Sequence, residues 1–260
     1  MTAHINTLWF GESLGYLERL SIHSALAAGH DLTIWSYTPG ALRGVPDGVP
    51  VRDAREVMCD PRRTKHFEGR FKALGSDFFR YEIFHHRLGY WMDLDVIVLK
   101  PLEFESPHVF GWERADSING AVLRIPHDSP MLTELRNIPE RNWRPPFFGP
   151  RRSLNYYLAR LRGDVELEDL PWGVAGPEAI TYYARKHGLL AQAQPVPVFY
   201  PVPYQQAEAL FDDASVVEGM LAEETAAIHM WNSRINKFAK DPPPEGSYIA
   251  KACARFGVQT

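Results

Sequence analysis

Two aspartates, Asp93 and Asp95, interrupt an otherwise apolar run from 90 to 99, and they constrain this chain more than any other feature. Tyr90, Trp91 and Met92 precede them and Val96, Ile97, Val98 and Leu99 follow, a composition expected of a buried strand. A carboxylate withdrawn from water costs several kcal/mol unless something neutralises it. Residues two apart on an extended strand point to one side, so the pair is expected to hold one divalent cation while Leu94 faces the core. Upstream, Ser76 reads as the N-cap of a helix over 77–88, with Phe78, Tyr81, Phe84 and Leu88 at helical spacing and Gly89 as its C-cap or turn.

The rest of the N-terminal half alternates strand-like and helix-like segments. Strands are expected over 5–10 and 32–37, a helix over 14–28, and a turn at Gly29, His30 and Asp31. This βαβ rhythm predicts an α/β fold with a mostly parallel central sheet flanked by helices, and ligands on such sheets sit beyond the carboxyl ends of the strands. Trp9, Phe10 and Gly11 close the first strand on the same rim as Asp93 and Asp95, and Ser36 and Tyr37 close the second. No G-x-x-x-x-G-K-[ST] loop or G-x-G-x-x-G turn occurs to cradle phosphates. A metal shared between carboxylates and donor phosphates is the expected substitute, Mg²⁺ or Mn²⁺, with an added imidazole favouring Mn²⁺.

The order Ser76-Asp77-x-x-Arg80-Tyr81, Gly89-Tyr90-Trp91-x-Asp93-x-Asp95, Lys100-Pro101-Leu102 resembles the sugar-binding DXD region of family 32 glycosyltransferases. The dense match covers about a tenth of the chain, with weaker matches along most of the rest. The resemblance implies a GT-A fold and a retaining transfer of a hexose from a nucleotide-sugar donor, with UDP favoured because Trp9 resembles the UDP-using branch. It further implies that Trp9, with Gly11, stacks on the base and that Asp77 and Arg80 hold donor-sugar hydroxyls. His229, in an H-x-W element with Trp231, is implied to complete the metal site with Asp93 and Asp95, or to contact the diphosphate. Asn119 falls where relatives contact the transferred sugar or acceptor, and Tyr37 is a weaker donor contact. Ordinary structural roles stand beside each of these: a locally bonded core tryptophan, a helix ion pair, a hydrogen-bonded histidine and an Asn-Gly turn. Glu178, after Gly176-Pro177, is either catalytic or a favourable first-turn acid.

The segment 141–162 carries six arginines and no acid in a chain of net charge −4. It reads as an acceptor-side element, with Arg151, Arg152 and Trp231 assigned there, or as a patch resting on anionic lipid. The bland alternative is a solvated helix whose Leu154, Leu158 and Leu161 pack inward. The chain is expected to form a single domain over 1–260, with 1–125 binding the nucleotide sugar and 126–260 forming an acceptor-side subregion. Its 260 residues suffice to bury roughly three quarters of the unfolded surface.

The net acidity argues against nucleic-acid partners. Two cysteines and the lack of a signal-like or spanning segment lead to the expectation of a cytoplasmic enzyme, peripheral at the inner membrane face if the arginine-rich segment meets lipid. The acceptor is expected to be a saccharide or a lipid-linked sugar. Two other classes remain open from the residues alone. One is a metal-dependent nucleotidyl or phosphoryl transferase; the other is a noncatalytic nucleotide-sugar or carbohydrate-binding relative.

Overall fold

The computed structural model describes residues 3–68 and 71–260. β1 (Ile5–Trp9), α1 (Tyr16–Ala27) and β2 (Leu32–Ser36) open the fold, followed by β3 (Val51–Asp53), α2 (Pro61–Thr64) and α3 (Lys72–His85). β4 (Tyr90–Met92), β5 (Val96–Val98), β6 (Val109–Arg114) and β7 (Ser117–Arg124) come next. They lead to α4 (Pro130–Arg136), α5 (Pro150–Arg160), α6 (Pro177–Lys186), α7 (Val196–Phe199) and α8 (Ala214–Glu218). β8 (Ala227–His229), α9 (Asn232–Ile235) and α10 (Tyr248–Phe256) complete the order.

Six strands form one sheet in the order β3-β2-β1-β4-β7-β6. β3, β2, β1 and β4 are mutually parallel, and β7 enters antiparallel beside β4, so the sheet is mainly parallel as the βαβ rhythm predicts. Pairing of Ile5 with both Leu32 and Tyr90 aligns the three central strands, and their carboxyl ends share one rim. Side chains alternate between the two faces as the pleat demands. Tyr90 and Met92 enter the core that also holds Leu17, Leu20, Ile228 and Ile249, whereas Trp91 enters the core of Phe79, Phe84, Leu123 and Ile180. Each such fully buried side chain contributes roughly 1.5–3 kcal/mol. Both cores draw on residues before and after 125, because β5 pairs with β8 and α1 packs on α10.

Several local expectations are corrected. α3 begins at Lys72, so Ser76 lies inside the helix rather than at its N-cap. The helix-forming stretch Lys72-Ala73-Leu74 extends it, and Gly75 lets the helix approach the Phe67 ring, which a Cβ there would meet at 2.1 Å. Asp77 and Arg80 are therefore not in the first turn. The helix does not end on Gly89: His86 is its C-cap and Arg87 takes the left-handed conformation (φ 58°), while Gly89, at φ +111°, leads into β4 with its Cα against the His4 carbonyl.

Asp93 and Asp95 lie in a turn and not on a strand. The chain changes sheets there: the Asp93 N–H still bonds Ala121 O of β7 (2.8 Å), while Asp95 O already accepts from Met230 N beside β8 (2.7 Å). Leu94 is buried as expected. Asn119-Gly120 is mid-strand rather than a turn, because 109–114 and 117–124 pair as a hairpin through a tighter corner. Finally, Leu154, Leu158 and Leu161 face solvent and not the core.

Candidate metal centre

The sheet change at 93–95 turns both carboxylates toward β8, where the antiparallel register sets Val96 opposite His229. One ligand atom from each of Asp93, Asp95 and His229 lies within 4.8 Å of the others. His229 Nε2 is 3.2 Å from Asp95 Oδ1, and the Asn232 backbone N–H donates to Asp95 Oδ2 (2.8 Å). Burial alone would raise the Asp95 carboxyl, but the imidazole and these hydrogen bonds hold it below its usual range. Burial would likewise lower His229, and Asp95 reverses the direction. Asp93 is pushed up by its withdrawal from water, with Arg80 opposing and Asp95 adding to the rise. His229 Nδ1 is buried without a hydrogen-bond partner among the described residues. Two carboxylates and an imidazole, converging with one carboxylate poorly neutralised, fit a divalent cation.

Behind the triad lies a buried ionic chain. Arg80, 6% exposed, places Nη2 3.4 Å from Asp77 Oδ1 and 3.5 Å from Asp93 Oδ1, and donates from Nη1 to Gly120 O (2.9 Å). Its guanidinium lies 5.2 Å from the Trp91 ring, whose N–H donates to Asp93 (2.6 Å). Burial lifts the Asp77 carboxyl to about 6, with Arg80 opposing and Asp93 adding to the rise. Two glycines admit this chain: a Cβ at Gly120 would stand 2.2 Å from Arg80 Nη1, and one at Gly176 would stand 2.5 Å from Asp77 Oδ2. Tyr81, expected in the core, is fully buried with its hydroxyl on Ala175 O.

Beyond His229 the backbone reverses sharply. Trp231 adopts φ 61°, ψ 61°, a conformation that costs a bulky residue about 1–3 kcal/mol. It is held there by a bond from its ring N–H to Val202 O (2.8 Å) and by its ring against His229 (4.0 Å between centroids). Trp231 is thus buried, and its polar edge is occupied. The reversal aims the Asn232 N–H at Asp95, and the Asn232 amide donates to Glu18 of α1 (3.2 Å). Glu18 is buried; it also accepts the Gly15 N–H, and burial raises its carboxyl. Neither Glu18 nor Asn232 is legible in the sequence as a site residue. The only signal at Glu18 is a helix-start acid three residues after Gly15, a pattern that reads as capping.

The other candidates occupy defined places. On the strand-end rim, Trp9 is half-buried and its ring N–H bonds Ser13 O (3.1 Å); Gly11 lies beneath the ring, where a Cβ would meet Trp9 Nε1 at 2.7 Å. Tyr37 bonds Met58 O (2.8 Å) and stacks on Phe10, while Ser36 is buried. Asn119 is buried, donating to Glu113 (2.6 Å) and accepting from Ala121 N. Glu178, in the first turn of α6, pairs with Arg152 (2.8 Å), and Arg151 is exposed without an ion pair among the described residues. A cavity of about 220 Å³ has Asp77, Trp172 and Ala175 in its wall. Another, of about 440 Å³ between α5 and 163–171, is lined by Arg152 and Asp164 and by none of the triad.

Residues 168–255, which hold Glu178, His229, Trp231 and Asn232, match a family model described as an alpha 1,4-glycosyltransferase conserved region. The chain is 26% identical over 158 residues to the lactosylceramide 4-alpha-galactosyltransferase of Rattus norvegicus, a match covering 56% of this chain and 37% of the relative. The chain therefore spans little more than a third of that relative's length. Among solved structures it is similar to the PaToxG glycosyltransferase, with a TM-score of 0.48 and 15% identity over 73% of this chain and 71% of that one. The matched conserved region and the rat relative are both described as glycosyltransferases, the class that the resemblance at 76–102 implies.

Proposed function

We propose that the protein transfers a hexose from a nucleotide-sugar donor, UDP-linked in the favoured case, to a saccharide or glycolipid acceptor with retention of configuration. The observation that carries this reading is the convergence of Asp93, Asp95 and His229 on the strand-end rim, directly against the buried Asp77–Arg80 pair. Strand ends of a mainly parallel sheet are where such folds bind ligands. The name of the rat relative, a galactosyltransferase acting on lactosylceramide, supports both the hexose and a lipid-linked acceptor.

Asp93, Asp95 and His229 would hold Mn²⁺ or Mg²⁺, whose Lewis acidity would stabilise charge on a departing diphosphate. The protein's own groups supply the rest. Asn232 N–H and Glu18 keep Asp95 in one rotamer, so that the site needs little reorganisation during reaction. Arg80 fixes Asp77 and Asp93 relative to each other, and the Asp77 carboxylate in the wall of the adjacent cavity offers acceptor oxygens to sugar hydroxyls. Trp9 and Tyr37 lie at the ends of neighbouring strands, where a base would be received. Glu178 is committed to Arg152 and is not assigned a step.

A thermal-shift screen of nucleotide sugars with and without Mn²⁺, followed by product analysis, tests the reading. Metal-dependent stabilisation by one donor and release of its nucleoside diphosphate are expected, since a ligand binding only the native state raises the melting temperature. Release of pyrophosphate from a nucleoside triphosphate would instead assign a nucleotidyl transferase. Binding without turnover across an acceptor panel would assign a carbohydrate-binding relative.

A further inference from the structure

We infer that the outer face of α5, with the chain that follows it, is a docking surface for an anionic lipid bilayer. Among the described residues, five of the eight exposed large apolar side chains fall between 154 and 172: Leu154, Tyr157, Leu158, Leu161 and Trp172. Leu161 is 83% exposed and Trp172 79%. The first four recur at i, i+3, i+4 and i+7, which makes one continuous stripe along the helix and its last turn.

The helix is mounted with its polar side toward the protein. Arg152 reaches Glu178 and lies 4.0 Å from the Phe148 ring, Ser153 bonds Phe148 O, and Arg160 pairs with Asp164. Only Tyr156 is buried. An amphipathic helix on a globular domain normally turns its apolar stripe inward, and the reverse mounting leaves that stripe without a partner in the fold.

Charge selects the occupant. No acid lies between 141 and 162, and neither Arg151 nor Arg162 has a carboxylate partner among the described residues, although the whole chain carries −4. On the helical wheel both arginines flank the leucine stripe on the same edge. Leucines at the centre, a tyrosine and a tryptophan beside them, and unpaired arginines at the margin match what the interface of an anionic bilayer receives. A second copy is disfavoured by the same charges, since a two-fold contact would set the patch, with its unpaired arginines, against itself. The leucines and arginines of this surface lie outside the metal centre, so the inference stands whether or not the donor assignment holds; Trp172 alone also lines the cavity that has Asp77 in its wall.

The test is flotation with phosphatidylcholine vesicles, alone and with about one third phosphatidylglycerol. Strong partitioning onto the anionic vesicles is expected, falling when salt is raised to about 1 M, where the Debye length is about 3 Å. Replacing all three leucines (Leu154→Ser, Leu158→Ser, Leu161→Ser) should lower partitioning at least about tenfold, and so should the pair Arg151→Glu and Arg162→Glu. Melting temperatures should hold, because none of these side chains is buried. Should the triple variant unfold, quenching of fluorescence by brominated lipid, present in the wild type and reduced in Trp172→Phe, reads the same contact without it. Equal partitioning of wild type and variants, no binding to the anionic vesicles, or a concentration-dependent dimer abolished by Leu158→Ser would each overturn the assignment.

Discussion

The metal centre and the outer face of α5 break the same rule in opposite directions. Around Asp93, carboxylates and a guanidinium are withdrawn from water, and each is answered by another group: Arg80 by Asp77 and Asp93, Asp95 by His229 and Asn232. Along α5, leucines and aromatic rings are left in water with nothing over them, while the arginines on the inner side are paired. Charge placed inside is costly and apolar surface placed outside is costly, so each region marks where a ligand or partner completes the molecule. They differ in rigidity of definition: the first is fixed by a network of paired groups that leaves Asp93 the least neutralised, whereas the second is fixed only by the rear of one helix.

That contrast breaks most easily at Arg80. Arg80→Met would leave Asp77 and Asp93 without their cation, and removing one partner of a buried pair costs about 3–5 kcal/mol. Urea unfolding should show a loss of that size; a loss below about 1 kcal/mol would mean that the carboxylates are well solvated. Asp95→Asn tests the site's chemistry instead of its stability. Turnover of the donor should fall about a hundredfold or more with the fold retained, and near-normal turnover would remove Asp95 from the centre.

The protonation of Asp77 sharpens the comparison further. Its native pKa of about 6 lies above the ordinary 3.8, so the folded state holds the proton through the interval between them. That contribution is fully present below about pH 3.8 and is lost as pH rises through about 6, for a total of about 3 kcal/mol. Unfolding midpoints in chelator should decline across this window, and Asp77→Asn should flatten the decline. Equal slopes in the two proteins would show that Asp77 is ionised in the native state. A smaller effect is expected at Gly120→Ala, where the added methyl presses on Arg80; overpacking of this kind costs about 1–3 kcal/mol. Least of all, Leu158→Ser should change stability by under about 0.5 kcal/mol, in contrast to a buried leucine, where the loss would be several times larger.

Legibility in the sequence follows physical range. The βαβ alternation and the helix opened by Gly176-Pro177 depend on local periodicity and backbone chemistry, and each is present. The start of α3 is not legible, because Ser76 has a strong local capping signal that packing of Gly75 on Phe67 overrides. Asp93 and Asp95 do converge on His229 together, yet their local context points to a strand. Their neighbours are strand-forming on both sides, and nothing local reveals that the two halves join different sheets. Leu154, Leu158 and Leu161 sit at helical spacing, which sets a stripe without saying which way it faces.

By itself, then, the sequence determined the fold class, the carboxylate pair and the acid-free arginine segment, since composition and short-range spacing suffice for these. Tertiary structure alone decided that His229 meets Asp95, that Glu18 from the first helix steadies Asn232 near the last, and that Gly120 and Gly176 make room for Arg80 and Asp77. Each of those contacts joins residues 40 to 214 positions apart or depends on a Cβ being absent, and neither condition leaves a periodic trace along the chain.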